Sequence, residues 1–305
     1  MTSTDLQQGD AEMRSQFFDK TVKGFADAQY KFKQSLNISP TSAWKNFFYR
    51  EDPDALSAPG QESFRGIPRG ANFPQAAVEW QRISKSIEKY GAEDFIYWED
   101  IISDDVPVQE RTLFRIAEAT AKAVDDRIWI DLEGARTIGD GTTLSVQTFA
   151  VGRNNSTGEW GGTNSVASAA IIDDLLRAKQ LIAEKNYPVE NLEVWVSPRD
   201  YRSIMTHITN KGAQFPNMSN DVAMNGRAGK LAGIQIVISN SVTASNALVV
   251  VPKICATWKE LKPLQTETIV DAFKGVKIRS VEMGVVQLTD PQAVVLIRGT
   301  QNTGA

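Results

Sequence analysis

One segment of the sequence carries more large apolar side chains than it can bury within itself. Residues 44–98 hold 11 of the chain's 26 aromatic residues, whereas an even spread over 305 residues would place roughly five there. Its first half is interrupted by residues that exclude a helix and break strands, namely Pro53, Pro59, Pro68, Pro74, Gly60, Gly66 and Gly70. We therefore expect an extended segment that buries its aromatic side chains against the rest of the chain or against a neighbouring subunit.

The residues before this segment predict a helical arm. Apolar residues follow one another at close to helical spacing, namely Phe18, Val22, Phe25, Phe32 and Leu36. This pattern predicts an amphipathic helix over about residues 10–36, which Asn37 and Pro40 would end.

Three further helices follow the aromatic segment. Asp105 and Pro107 mark the start of a long helix that ends near Gly134, with one buried face formed by Leu113, Ile116, Ala117, Thr120, Val124 and Ile128. In the second helix Ser168 is the expected N-cap and Asp173 and Asp174 lie in the first turns, where the helix dipole favours negative charge. Its predicted buried stripe is Ile171, Ile172, Leu175, Leu176, Lys179 and Ile182, and it stops at 186–188. Ser197 and Pro198 begin a third helix that runs through Ile208.

The remaining apolar runs predict strands. They cover residues 192–196, 234–239, 247–251, and 276–288 paired with 293–298 across Asp290 and Pro291. Helices and strands together fit an α/β or α+β fold.

Charge and cysteine content exclude several classes of protein. The chain has 33 basic and 37 acidic residues and a net charge of −4, so we expect at most weak or local contact with nucleic acid. The longest aliphatic run, Leu248 to Val251, is far too short for a membrane span, and the N-terminus has no signal-peptide pattern. The single cysteine, Cys255, excludes an internal disulfide and suggests synthesis in a reducing compartment.

No motif of the sequence predicts catalysis, a metal or a cofactor. His207 and Cys255 are the only residues of their types, and a structural role for each is favoured over a dyad, which the sequence leaves open. The segment Gly139–Thr143 could approach phosphate as in the nucleotide-contacting segment of chaperonins, but a plain turn is favoured. Gly229 and Lys230 lack the remainder of a phosphate-binding loop.

Cationic and aromatic residues interleave within the extended segment. Arg65, Arg69, Arg82, Lys85 and Lys89 alternate with Phe64, Phe73 and Trp80, which is one way to bind single-stranded nucleic acid. The negative net charge favours a solvated or subunit-facing ribbon instead. The candidate inter-subunit contacts are Trp44, Phe47, Phe48, Tyr49, Phe64, Arg65, Arg69 and Phe73.

Three stretches carry a family resemblance. They are Ala169 to Lys179 (AAIIDDLLRAK), Val194 to Tyr201 (VWVSPRDY) and Gly229 to Asn240 (GKLAGIQIVISN). In the order in which they follow an arm, an extended loop and a long helix, they resemble the HK97-fold major capsid proteins of tailed double-stranded DNA viruses. The resemblance covers about residues 80–300.

The resemblance implies an α+β fold with a defined architecture. An N-terminal arm would cover 1–43 and an extended E-loop 44–80. A peripheral P-domain would combine 81–137, with its spine helix at about 106–134, and the returning strands 265–305. An axial A-domain would cover 138–264, and the E-loop would lie over an adjacent subunit.

The resemblance also implies a function without enzyme activity. Copies of the chain would form pentamers and hexamers of an icosahedral shell around double-stranded DNA, with weak nonspecific DNA contact and with separate portal and scaffolding proteins. The shell would be assembled in the host cytoplasm and become part of the virion. Two alternatives stay open: an encapsulin-type compartment with the same fold, and a soluble nucleotide-binding enzyme that uses the Gly139–Thr143 loop.

Overall fold

The computed structural model describes residues 30–51, 67–70, 80–99, 108–134, 146–151, 160, 167–210, 229–271 and 274–301. The helices are α1 (Val108–Gly134), α2 (Ala167–Glu184) and α3 (Pro198–Asn210). The strands are β1 (Asn37–Pro40), β2 (Lys45–Glu51), β3 (Trp80–Ser86), β4 (Glu88–Tyr97), β5 (Gln147–Ala150), β6 (Glu193–Val196), β7 (Lys230–Leu231), β8 (Ile234–Ile238), β9 (Asn246–Val250), β10 (Ala256–Asp271), β11 (Gly275–Leu288) and β12 (Val294–Arg298).

A four-stranded sheet and the long helix α1 form one layer pair. The strand order is β1-β10-β11-β4, in which β1 is parallel to β10 and the other pairs are antiparallel. Helix α1 packs on β4 and β11, and the Thr120 hydroxyl lies 2.6 Å from that of Ser280. All six residues of the predicted α1 face are buried, so the sequence prediction of this helix is confirmed.

A six-stranded sheet forms the second layer. Its order is β5-β12-β9-β6-β8-β7, and its central strands are apolar on both faces, as expected for strands covered on both sides. Helix α2 packs against β12. Helix α3 begins as predicted, because the Ser197 hydroxyl accepts a hydrogen bond from the Asp200 backbone N–H at 3.1 Å.

A separate two-stranded ribbon is formed by β2 and β3, which pair antiparallel from Lys45 opposite Ser86 to Glu51 opposite Trp80. We call it the ribbon below. It connects directly to the four-stranded sheet, because β4 begins two residues after β3 ends. The described part of the aromatic-rich segment is therefore extended, as predicted.

The predicted arm helix is wrong where it can be compared. Residues 30–36 contain only a short 3-10 turn, Lys33–Ser35, and the chain then enters β1. The reason is that the Asp125 carboxylate accepts the backbone N–H groups of residues 31–33, which an α-helix would direct along its own axis. The rest of the predicted helix, 10–29, lies outside the described residues.

The predicted pairing of 276–288 with 293–298 is also wrong. The first segment forms β11 in the four-stranded sheet, and the second forms β12 between β5 and β9 in the other sheet. A 3-10 turn at Pro291–Ala293 redirects the chain between them. Residues Val294–Ile297 are fully buried, so they require neighbours on both edges and both faces, which a hairpin with β11 would not provide.

Two details of the second helix differ from the prediction. Leu176 is 48% exposed, and the buried stripe continues through Ala178 instead. Helix α2 begins at Ala167, so Ser168 lies within the helix rather than at its N-cap. The end of the helix before 186–188 is as predicted, and Asn186 takes a positive φ of 62° there.

Candidate interaction surface

The two faces of the ribbon differ in exposure, because successive side chains of a strand point to opposite faces. On the inner face Phe48 is 5% exposed and Arg50 is 3% exposed. On the outer face Phe47 and Tyr49 are 51% and 53% exposed, and Lys45 is exposed with them. A strand that turns one face to the body normally turns polar residues outward, so two aromatic residues on the outer face are unusual.

The inner face fixes the ribbon to the body of the protein. The Arg50 side chain donates a hydrogen bond from Nε to the Leu288 carbonyl at 2.9 Å, at the end of β11. Burial lowers the pKa of the Arg50 guanidinium, and the Asp131 carboxylate of α1 partly opposes this shift. Lys85 forms an ion pair with Asp131 at 3.0 Å. The ribbon is therefore held in place by β11 and by α1.

The outer face combines aromatic rings with cations. The Arg82 guanidinium lies 4.1 Å from the centre of the Phe47 ring, and the Lys45 ammonium lies 5.7 Å from it. Arg82 is also the direct cross-strand neighbour of Tyr49. Trp44, which precedes β2, is 58% exposed. Aromatic residues and arginine are the types enriched at the centres of protein interfaces, so this face suits contact with another protein.

The predicted contact residues differ in their exposure, and three of them lie outside the described residues. Trp44, Phe47, Tyr49 and Arg69 are exposed, while Phe64, Arg65 and Phe73 lie outside the described residues. The prediction for Phe48 is corrected, because this side chain packs inside its own chain and offers little surface to a neighbour. For the other residues, a role in contacts between subunits remains a prediction.

A second group of exposed apolar residues lies at the far end of the four-stranded sheet. Tyr97 and Trp98 at the end of β4 are 59% and 46% exposed, and Val270 near the turn between β10 and β11 is 74% exposed. The sequence analysis placed Tyr97 and Trp98 in the aromatic-rich segment but did not assign them to a site. It missed Val270, because β10 was not predicted.

The residues considered for catalysis lie in structural settings. His207 is 3% exposed and Cys255 is fully buried, and burial raises the pKa of the Cys255 thiol to about 12. Asp173 is exposed, whereas Asp174 is buried and accepts a hydrogen bond from the Trp160 indole at 3.0 Å. Asp174 thus anchors a side chain, a role that the helix-dipole argument did not anticipate.

Other candidate sites can be placed only in part. The Gly139–Thr143 loop lies outside the described residues, and Lys230 belongs to the short strand β7. Within the described part of the chain, no three histidine, cysteine, aspartate or glutamate residues are grouped to hold a metal ion. Among the described helices, none is long and apolar enough to cross a membrane.

Solved structures with the same fold are capsids and related particles. The chain is similar to the capsid of Cyanophage P-SCSP1u, with a TM-score of 0.66, 16% sequence identity and coverage of 88% of this chain and 87% of that one. It is similar to the capsid of Ralstonia phage GP4, with a TM-score of 0.60, 11% identity and coverage of 91% and 93%. A virus-like particle from Pyrococcus furiosus gives a TM-score of 0.62 at 7% identity, with coverage of 93% and 99%.

Sequence comparison identifies the family. No curated protein matches the chain. A family model described as phage capsid protein matches residues 81–297, which include α1, both sheets' principal strands and the three resemblance stretches. The match covers well over half of the chain, and the fold agrees with it. The chain therefore belongs to the phage capsid protein family, as a major capsid protein of the HK97-like fold and a structural component of the virion.

Proposed function

We propose that copies of this chain assemble into the pentamers and hexamers of an icosahedral shell that encloses double-stranded DNA, and that the outer face of the ribbon docks on a neighbouring copy. The observation that carries the docking proposal is the exposed aromatic face of a ribbon whose other face is fixed to the body. A ribbon held in one position presents its outer face without the entropic cost of ordering a loose segment.

The size of the exposed surface supports this role. An aromatic side chain presents about 150–250 Å² when fully exposed, so a half-exposed ring has on the order of 100 Å² left to bury. At about 25 cal/mol per Å², each such ring contributes roughly 2.5 kcal/mol when a neighbour covers it. Trp44, Phe47 and Tyr49 are each at least half exposed, and every copy in a ring repeats the contact.

The sheet arrangement supports a division of the chain into parts. We assign residues 1–43 to an arm, 44–80 to the E-loop, 81–137 and 265–305 to the P-domain, and 138–264 to the A-domain. Helix α1 and most of the four-stranded sheet would form the P-domain, and β10 (Ala256–Asp271), which begins before residue 265, would belong to it as a whole. The strand β12 lies in the six-stranded sheet with the A-domain strands, so the returning segment 265–305 would contribute to both parts.

The other partners follow from a shell role. The shell confines packaged DNA mainly as a wall. A chain with a net charge of −4 can neutralise few DNA phosphates, so the affinity for DNA should depend only weakly on salt concentration. Separate portal and scaffolding proteins take part in assembly, which occurs in the host cytoplasm. The chain has no enzymatic role.

The docking proposal is tested by removing the aromatic surface without touching the inner face. We expect the double variant Phe47→Ser, Tyr49→Ser to keep the wild-type melting temperature but to sediment as unassembled subunits, with few or no shells in negative-stain images. The matched control is Phe47→Tyr, Tyr49→Phe, which keeps the aromatic surface and should form shells. Normal shells from the serine variant would show that the ribbon face is not an interface.

One alternative is favoured by a specific observation. The likeness to a virus-like particle from Pyrococcus furiosus extends over nearly all of both chains, and it is compatible with an encapsulin-type compartment. The contents of the particles separate the two functions. We expect nuclease-protected double-stranded DNA in particles isolated from the source, and particles that hold a cargo protein and no DNA would favour the compartment.

A further inference from the structure

The buried segment Tyr30–Leu36, which we call the strap, lies between α1 and both sheets. Phe32 is fully buried and stacks on Trp195 of β6, with ring centres 4.2 Å apart. The Ser35 hydroxyl donates to the Glu193 carboxylate of β6, and the Ser35 carbonyl accepts from the Lys253 backbone N–H at 2.8 Å. These contacts tie the strap to the six-stranded sheet.

The strap is tied to the four-stranded sheet by charge. The Lys33 ammonium donates to Glu282 of β11 at 2.7 Å and to Glu260 of β10 at 3.1 Å. The Tyr30 hydroxyl also donates to Glu282. Glu282 is completely buried, so its charge depends on Lys33 for a partner.

The third tie runs to α1. One oxygen of the Asp125 carboxylate accepts the Lys31 backbone N–H at 2.7 Å, and the other accepts those of Phe32 and Lys33 at 3.2 and 3.3 Å. Asp125 is 3% exposed. Because these bonds are made by backbone groups, the tie holds the strap whichever side chains it carries.

Among the described residues, the two sheets have few other connections of this directional kind. The described crossings between them are at 251–256 and 288–294, and the Asp290 N–H donates a hydrogen bond from one crossing segment to the Cys255 carbonyl of the other at 3.1 Å. Glu133 at the end of α1 accepts hydrogen bonds from Thr243 and Asn246. Apart from these bonds, α1 and the two sheets are joined by the apolar side chains of one shared core, which do not impose a directional geometry.

We infer that the strap is a releasable lock, held by Asp125, that joins α1 to both sheets and can open while both sheets stay folded. Polar ties such as Asp125 and the Lys33 ion pairs suit this role, because they specify one geometry more than they add stability. In a shell with both five-fold and six-fold positions, one chain must adopt slightly different shapes. That consequence rests on the proposed function, whereas the lock itself does not.

Hydrogen exchange measured by mass spectrometry on dissociated full-length subunits tests the lock. We expect Asp125→Ala to speed the exchange of the backbone amides of residues 31–33 by about tenfold or more, because each loses a buried acceptor. Amides of β6 and β11 should keep their wild-type protection. The matched control is Asp126→Ala, the next residue of α1, which makes no hydrogen bond to the strap and should leave all these amides unchanged.

Two results would overturn the inference. Unchanged exchange in the strap would mean that Asp125 does not hold it. Loss of protection in β6 and β11 together with the strap, or failure of the Asp125→Ala and the milder Asp125→Asn variants to fold, would mean that the segment is ordinary core that opens only with the whole protein. Because the measurement needs no shell, it is independent of the outcome for the ribbon.

Discussion

Asp125 should make the stability of the chain depend on pH in a direction opposite to that of a salt-bridged carboxylate. Burial raises the pKa of this carboxyl group from its ordinary 3.8 to about 6, because loss of hydration outweighs the three backbone hydrogen bonds that favour the charged form. Replacing it with asparagine, which has a similar shape and no titration, should remove this dependence.

The sign and size follow from proton linkage. Between about pH 4 and pH 6 the folded state holds a proton on Asp125 that the unfolded state has released, so the free energy of unfolding falls as pH rises through this window. The contribution is fully present below the unfolded pKa and is lost above the folded pKa. A shift of about two units corresponds to on the order of 3 kcal/mol over the whole window.

The assay is urea unfolding of dissociated subunits at several pH values between 4 and 7. We expect the Asp125→Asn variant to gain relative to wild type as pH rises, by up to about 3 kcal/mol across the window. Asp126→Asn serves as the control and should keep most of the wild-type dependence, because burial raises the pKa of Asp125 far more than the neighbouring Asp126 charge does. If the free energies of unfolding of Asp125→Asn and wild type change in parallel with pH, the Asp125 carboxyl group does not lose its hydration in the way that its burial under the strap implies.

Two further predictions concern the core. A Cβ on Gly284 would lie 2.3 Å from Cζ2 of the fully buried Trp258, so Gly284→Ala should lower the free energy of unfolding by about 1–3 kcal/mol. The control is Gly134→Ala, which should leave stability unchanged because a Cβ there meets open space. Thermal melts of both variants check this. Because burial raises the pKa of the Cys255 thiol to about 12, native protein at pH 8 should resist iodoacetamide and react only after unfolding, and rapid native labelling seen by mass spectrometry would contradict this.

The helices were predictable from local signals. The buried face of α1 repeats at helical spacing, and Ser197 caps α3 through a contact three residues away. Such signals lie within a few residues of one another, so one sequence contains them completely. The failure at residues 30–36 has the opposite character, because the decisive partner, Asp125, lies more than 90 residues away.

The strand β10 shows why the sheets were harder to predict. Its side chains are mostly polar, and within its 16 residues the large buried apolar side chains are Trp258 and Leu264. Its identity as a strand comes from its neighbours, β1 on one side and β11 on the other. Although β11 follows β10 across a short turn, the polar side chains of β10 hide the hairpin, and its other partner, β1, lies more than 200 residues away. The true partners of β12, which are β5 and β9, are likewise separated from it in sequence, so the nearby β11 was paired with it wrongly.

The ribbon shows the same limit within three residues. Phe47, Phe48 and Tyr49 are consecutive aromatic residues, so the alternation of a strand places one on the opposite face from the other two without indicating which face is inward. Arg50 determines which face is inward. Its Nε donates a hydrogen bond to the Leu288 carbonyl, and Phe48, two residues earlier in the strand, therefore lies on the same inner face. The sequence left open whether this segment buries its aromatic residues in its own chain or in a neighbour. Phe48 takes the first course, because it packs within its own chain, while Trp44, Phe47 and Tyr49 stay at least half exposed, as the second course requires.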